Sequence, residues 1–216
     1  DFGDVDVDNG GTVNTVITNA GTLDINSGTL TVTGNSTTNE ADGVLTVASG
    51  ATLASDVTNE TDAEANLAGI VGNVENTGGE VDITDGTVVS LDNTLGNSTV
   101  SGGEVTGITN IDAGEITVSG TATLTGDTTV NGGTLDVNNG TVGAVENDGG
   151  IVEIGGGTVA SLDNTMGDST INGGEVTGIT NIDAGEITVS GAATLTGDTT
   201  VAGGTLDING GQAMSI

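Results

Sequence analysis

The side chains available for polar chemistry in this sequence are carboxylates, hydroxyls and amides. It holds 31 Asp and Glu residues with no Lys, Arg, His or Cys, and its formal charge is −31. Nucleophile–base pairs built on His, Cys or Lys are therefore excluded, as are Cys/His zinc sites and disulfides. Carboxylates leave two kinds of chemistry. A pair of acids can cleave a glycosidic bond, but a sugar cleft also needs aromatic platforms, and this chain has one Phe and no Trp or Tyr. We expect no enzyme. A cluster of carboxylates can instead hold Ca2+, which takes several oxygen ligands in loose geometry. Two clusters are candidates: Asp62, Glu64, Glu80 and Asp82, and then Asp4, Asp6, Asp8 and Asp24. The run Asp4-x-Asp6-x-Asp8 resembles the start of an EF-hand loop. Asn9, however, stands where that loop needs Gly, and Thr15 where it needs the bidentate Glu. The competing reading is an acidic, solvated face without an ion.

Threonine rows are weighed the same way. Thr121-x-Thr123-x-Thr125 and Thr194-x-Thr196 resemble ice-binding arrays, but the outward threonines counted along the repeat are interrupted by Asp and Glu. Thr as a good strand former explains them more simply. The missing cations also bound the partners. Without Lys or Arg the chain cannot displace phosphate counterions, so we expect no nucleic acid. No run of about 18 apolar residues predicts membrane insertion, and no signal peptide is visible. Trypsin has no site in the chain.

Whether these carboxylates meet depends on the elements that carry them, and repetition sets those elements. Val74–Val137 aligns with Val145–Ile208 without a gap. The internal repeats are 67–137 and 138–208, with a diverged, shortened copy at 9–66, in one domain spanning 1–216. Inside this lies a shorter unit: Gly, any residue, apolar, any residue, apolar. Twelve such units start at positions 3, 21, 43, 61, 79, 96, 114, 133, 150, 167, 185 and 204, and four of them make one long repeat. The unit at Thr61 is degenerate, with Ala63 and Ala65 in the apolar places and Asp62 and Glu64 facing outward.

The apolar pair falls at the third and fifth residues of a unit, as in Val81/Ile83 and Ile187/Val189. A second set recurs as Val88/Leu91, Val105/Ile108, Val142/Val145, Val159/Leu162 and Val176/Ile179. A patchier third set holds Leu95, Ile111, Val130, Met166, Ile182 and Val201. Alternation over four or five residues predicts a strand with one buried face. Such short strands must pair with their equivalents in the next unit. Three strands and three turns in each unit predict an all-β fold, a single β-solenoid (β-helix) of about twelve rungs, of either hand. Gly, Asn and Asp in the gaps suit corners that need positive φ. Asn59–Leu67 could form a helical turn, but its phase favours a rung.

Gly114–Gly140, reading GEITVSGTATLTGDTTVNGGTLDVNNG, resembles the repeats of secreted bacterial autotransporter passengers and filamentous-haemagglutinin-type adhesins. That resemblance covers nearly the whole chain. It implies an extracellular or cell-surface solenoid used in a matrix or in adhesion, with a glycan or cell-surface target as a candidate partner. The repeats reach both ends without a polar cap. Val5/Val7 in the first unit and Leu206/Ile208 in the last are as regular as the interior, and Phe2, Met214 and Ile216 add apolar surface. Uncapped edges template pairing. The expected function is therefore a structural fibre or matrix subunit, stacking head-to-tail on copies of itself through these residues. The alternative is the stalk or passenger segment of a surface adhesin.

Overall fold

Short amphipathic strands gain stability only by pairing, and in the computed structural model, which describes residues 3–216, they pair in parallel from turn to turn. The described chain is an all-β solenoid of about 12 turns with no helix. Each turn carries three strand positions, which stack into three faces that we call the first, second and third sheets. The first sheet begins at Asp4–Val7, stacks on Thr22–Ile25 and Val44–Val47, and ends at Thr205–Asn209. The second runs from Gly11–Val13 to Gln212–Ser215, and the third from Ile17–Asn19 to the segment ending at Val201. The long strands Ile70–Ile83 and Thr87–Val100 pass through corners, so hydrogen bonding joins 26 strands into one wrapped sheet.

The inward positions are those the alternation predicts in the first sheet. Leu23/Ile25, Leu45/Val47, Val81/Ile83, Ile116/Val118, Leu135/Val137 and Ile187/Val189 are all 4% exposed or less. Leu30, Leu53, Val88, Leu124 and Val159 line the second sheet, and the buried aliphatics form one contiguous core. At roughly 4.8 Å per turn the body is about 55 Å long.

The fourth turn corrects the sequence phase. The first-sheet strand there is Glu64–Leu67, with Glu64 beside Val44 and Glu80, and Asn66 beside Thr46 and Asp82. The inward pair is Ala65/Leu67, not Ala63/Ala65. The frame slips because the corners before the third and fourth turns are wide. Glu40–Gly43 and Glu60–Ala63 each close with a hydrogen bond from the last residue to the carbonyl of the first, and Asp42 and Asp62 both sit at φ 64°. Later corners, such as Thr77–Gly79, are shorter. The same segment settles Asn59–Leu67, which is strand, corner and strand.

Two aliphatic sets are also reassigned. Ile108 and Ile179 are 59% and 57% exposed, because Thr109 and Thr180 take the inward places. Leu95 and Met166 are 54% and 61% exposed at corners, because Asn93 and Asn164 point inward instead. Ile111, Val130 and Ile182 are buried as expected.

Candidate binding and assembly surfaces

Outward carboxylates concentrate on the first sheet. Asp4, Glu64, Glu80, Glu115, Asp168 and Glu186 fall in one column, and Asp6, Asp24, Asp82, Asp136, Glu153 and Asp207 in the other. Of the first candidate cluster, the fold brings Glu64 and Glu80 together on adjacent turns. Asp82 lies beside Asn66, and Asp62 leaves the sheet for the corner. Asp62, Glu64 and Glu80 rim an open groove of about 340 Å³. Of the second cluster, Asp6 pairs with Asp24 and Asp4 with Thr22, while the Asp8 carboxylate accepts a 3.1 Å hydrogen bond from Asn26. Among the described residues no three carboxylates converge as a metal-binding group.

On the third sheet the outward column places Glu75 beside Asp92, and Glu146 beside Asp163 one repeat later. Asp92 Oδ1 and Asp163 Oδ1 are buried without a hydrogen-bond partner. Burial, with Asp112 nearby, raises the Asp92 pKa above the usual 3.8. Burial and then Glu115 raise that of Asp136, partly offset by a hydrogen bond from Asn138.

The second sheet is different. One outward column reads Thr29, Thr52, Ile70, Thr87, Glu104, Thr123, Thr141, Thr158, Glu175, Thr194 and Gln212. The next outward residues include Thr31, Ala54, Val89, Thr106, Thr125, Ala160, Thr177, Thr196 and Met214. Thr106, Thr125, Thr177 and Thr196 donate back to carbonyls of the preceding turn, at 3.1–3.5 Å. Of the threonines singled out in the sequence, Thr123, Thr125, Thr194 and Thr196 lie on this face. Thr121 sits in a corner outside it.

The most organised polar feature is inside the solenoid, and sequence reasoning missed it. Asn19, Asn39, Asn59, Asn76 and Asn93 stack in consecutive turns at the inner edge of the third sheet, and Asn147 and Asn164 repeat the arrangement. All but Asn19 are fully buried. Within each run the amide donates to the next Asn Oδ1, at 2.8 Å from Asn19 and Asn39, 3.4 Å from Asn59, and 3.0 Å from Asn76 and Asn147. These five amides also donate to a first-sheet carbonyl on the strand stacked above the one each leads into: Val44, Glu64, Glu80, Asn97 or Asp168, at 2.8–3.1 Å. The ladder thus ties corner to sheet and turn to turn. The signal was present in Ile17-x-Asn19, Val57-x-Asn59, Val74-x-Asn76 and Leu91-x-Asn93. Alternation alone places the second member of each pair inside.

At the first and last turns the inward aliphatics lose cover. Val5 is 54% and Ile208 40% exposed, while Val7 and Leu206 are partly buried; the outward Met214 and the last residue, Ile216, are 65% and 75% exposed. Phe2 lies outside the described residues. Compared with protein-family models, curated proteins and solved structures, the chain gives no match.

Proposed function

We propose that this chain is a structural rod: an extracellular fibre or matrix subunit whose terminal turns stack head-to-tail on copies of itself. The observation supporting this reading is the unbroken parallel ladder, which offers Val5/Val7 at one edge and Leu206/Ile208 at the other in the same register. A second copy set on that edge continues all three sheets. Burying about 300 Å² of apolar surface per side contributes roughly 15 kcal/mol gross, before association costs. The opposing term is small. Asp207 would come near Asp6 at about 4.8 Å, a repulsion of about 1 kcal/mol in water. Growth should therefore be favoured by salt, low pH or Ca2+, with the ion acting by screening. The extracellular assignment rests on the resemblance to autotransporter and haemagglutinin-type repeats.

The test is electron microscopy of the purified chain beside Val5→Asp/Val7→Asp, which alters only the edge turn. Fibres from the parent and single rods from the variant support the proposal. A parent that stays at 20.7 kDa at high concentration with salt and Ca2+, or a variant with fibres as long as the parent's, defeats it. The first outcome favours the adhesin stalk, in which further turns of the same chain cover the edge; the second means that copies assemble through a surface other than this edge.

A further inference from the structure

The charge on this rod is not spread evenly. The first sheet carries carboxylates in both outward columns, the third carries acid pairs, and the corners carry Glu40, Asp42, Glu60, Asp62, Asp112, Asp148 and Asp183 among others. The second sheet's outward face carries only Glu104 and Glu175. The rest of that face is Thr, Gly, Ala and Gln with a few aliphatics. Ile70, Val89 and Met214 are 54%, 49% and 65% exposed on it. Apart from these two glutamates, the strip is uncharged along the rod.

We infer that this face is a lateral interface, and that its occupant is the second sheet of another copy of this chain. The first argument is electrostatic. Two copies of a −31 polyanion repel wherever carboxylates face each other, and no Lys, Arg or His exists on either copy to relieve it. The second sheet is the one side on which two rods can touch with little like-charge contact. The first- and third-sheet columns lie behind it, while Asp8 and Asp85 on one flank and Asp56, Asp127 and Asp198 on the other sit in the corners beside the strip, where salt screens charges more than about 10 Å apart. The second argument is area. A strip about 55 Å long and about 10 Å wide buries roughly 1,100 Å² over two partners, which clears the size needed for a specific interface. The third is shape. A β-face with two outward side chains per turn, mostly Thr, Ala or Gly, is flat enough for another to stack on it at about 10 Å.

The two glutamates set the register. Glu104 and Glu175 lie four turns apart, as the strand pairings count them. Parallel rods in register place each glutamate on its own copy, and an antiparallel pair centred midway places Glu104 on Glu175. An antiparallel pair overlapping end to end instead sets Glu104 against the Thr123 turn and Glu175 against the Thr52 turn, which keeps the whole strip and leaves every glutamate opposite neutral residues.

The inference needs the rod but not end-to-end growth, so it is tested in the Val5→Asp/Val7→Asp background, where stacking at that edge is blocked. Sedimentation velocity is run at rising salt on three proteins: this background, the background with Thr123→Asp and Thr158→Asp on the second sheet, and the background with Thr117→Asp and Thr188→Asp on the first. All four threonines point outward and partly into solvent, and the last two proteins have equal charge. The background should form dimers favoured by salt. The second-sheet variant should weaken dimerisation at least tenfold and the first-sheet variant much less. Glu104→Gln/Glu175→Gln should tighten it by about three- to tenfold, a gain of about 1 kcal/mol. A background that stays monomeric in 1 M salt, or equal weakening by the two Asp pairs, overturns the inference. Fibres of the parent whose width is unchanged by Thr123→Asp/Thr158→Asp overturn it as well, leaving head-to-tail growth intact.

Discussion

Truncating one rung of the buried asparagine ladder should be among the most damaging single changes in the molecule. Asn76 is fully buried. Its Nδ2 lies 3.1 Å from Gly79 O, 3.0 Å from Asn93 Oδ1, 3.0 Å from Asn97 O and 3.3 Å from Ser98 Oγ. Its Oδ1 accepts from Gly79 N–H at 3.1 Å and from Asn59 Nδ2 at 3.4 Å. Asn76→Ala removes all of these, but not all the partners are stranded. Asn93 Oδ1 still accepts from Ser98 Oγ, and Asn59 Nδ2 still reaches the Ala63 and Glu80 carbonyls. Gly79 N–H loses its Asn76 acceptor outright. Two or three net hydrogen bonds at about 1 kcal/mol each, plus one buried donor left unsatisfied at about 1–3 kcal/mol, give a loss of about 3–5 kcal/mol. The comparison is Asn131→Ala. This asparagine is exposed and donates at 2.7 Å to Asp112, so its loss should fall within about 0.5 kcal/mol. Urea unfolding followed by circular dichroism measures both, and the energies are comparable only where the m-value is unchanged. An Asn76→Ala loss below about 1 kcal/mol, or one equal to that of Asn131→Ala, would refute the claim that the ladder holds the turns together.

The inward threonines predict the opposite sign. Thr109 and Thr128 are fully buried with hydroxyls that have no hydrogen-bond partner, so Thr109→Val and Thr128→Val should each stabilise by about 1 kcal/mol and raise the urea midpoint; a lowered midpoint contradicts this. Gly114 sits at φ 74°, and a Cβ there would overlap the Gly96 carbonyl of the turn below, so Gly114→Ala should cost at least about 2 kcal/mol, read as a lowered melting temperature. Asp92 has a folded pKa above the usual 3.8, so the folded state binds its proton more tightly than the unfolded chain does. Its contribution to stability is greatest below the unfolded pKa and is lost as pH rises through the folded value. Asp92→Asn should therefore stabilise at pH 7, with the gain vanishing near pH 3; a gain independent of pH would contradict the assignment.

The turns were legible in the sequence wherever aliphatics alternate without interruption, as at Val81/Ile83 or Ile187/Val189. There one face of a strand is unmistakable and its register follows from the repeat. The reading slipped where an inward position is polar or where a corner changes length. Both happen together in the early turns: Glu60–Ala63 is a wide corner, and the Asn59 before it looks like part of the loop. Asn59 is in fact as buried as Leu67. A rule that sends Asn to corners is right for Asn35 and Asn139, which have positive φ, and wrong for the seven ladder residues. The distinguishing signal is the residue two places earlier, which also points inward, as Val57 and Val74 do. The carboxylate clusters were less legible for a related reason. Adjacent outward columns can be written down from the repeat, but a phase error of two places moves Asp62 from the sheet to a corner, and a four-acid patch becomes the pair Glu64–Glu80.

The asparagines and the carboxylates share one physical origin. A chain without cations has no ion pair with which to lock one turn onto the next, and its outward columns push adjacent turns apart wherever acids stack, as at Glu64–Glu80 and Asp6–Asp24. The attraction that fixes register must then come from neutral groups. The aliphatic core supplies most of it but is permissive about sliding, because one Val or Ile packs much like the next. A ladder of buried amides is not permissive. A shift of one residue would turn each Asn out of the core and leave the first-sheet carbonyls it serves without that donor. The ladder runs unbroken from Asn19 to Asn93, the half of the chain whose turns vary most in length: the step from Thr22 to its partner Val44 is distinctly longer than the step from Glu64 to its partner Glu80. It gives way to Ile111 and Val130, resumes at Asn147 and Asn164, and gives way again to Ile182 and Val201. The longest run of buried amides thus stands in the early turns, where repetition alone sets the register least firmly.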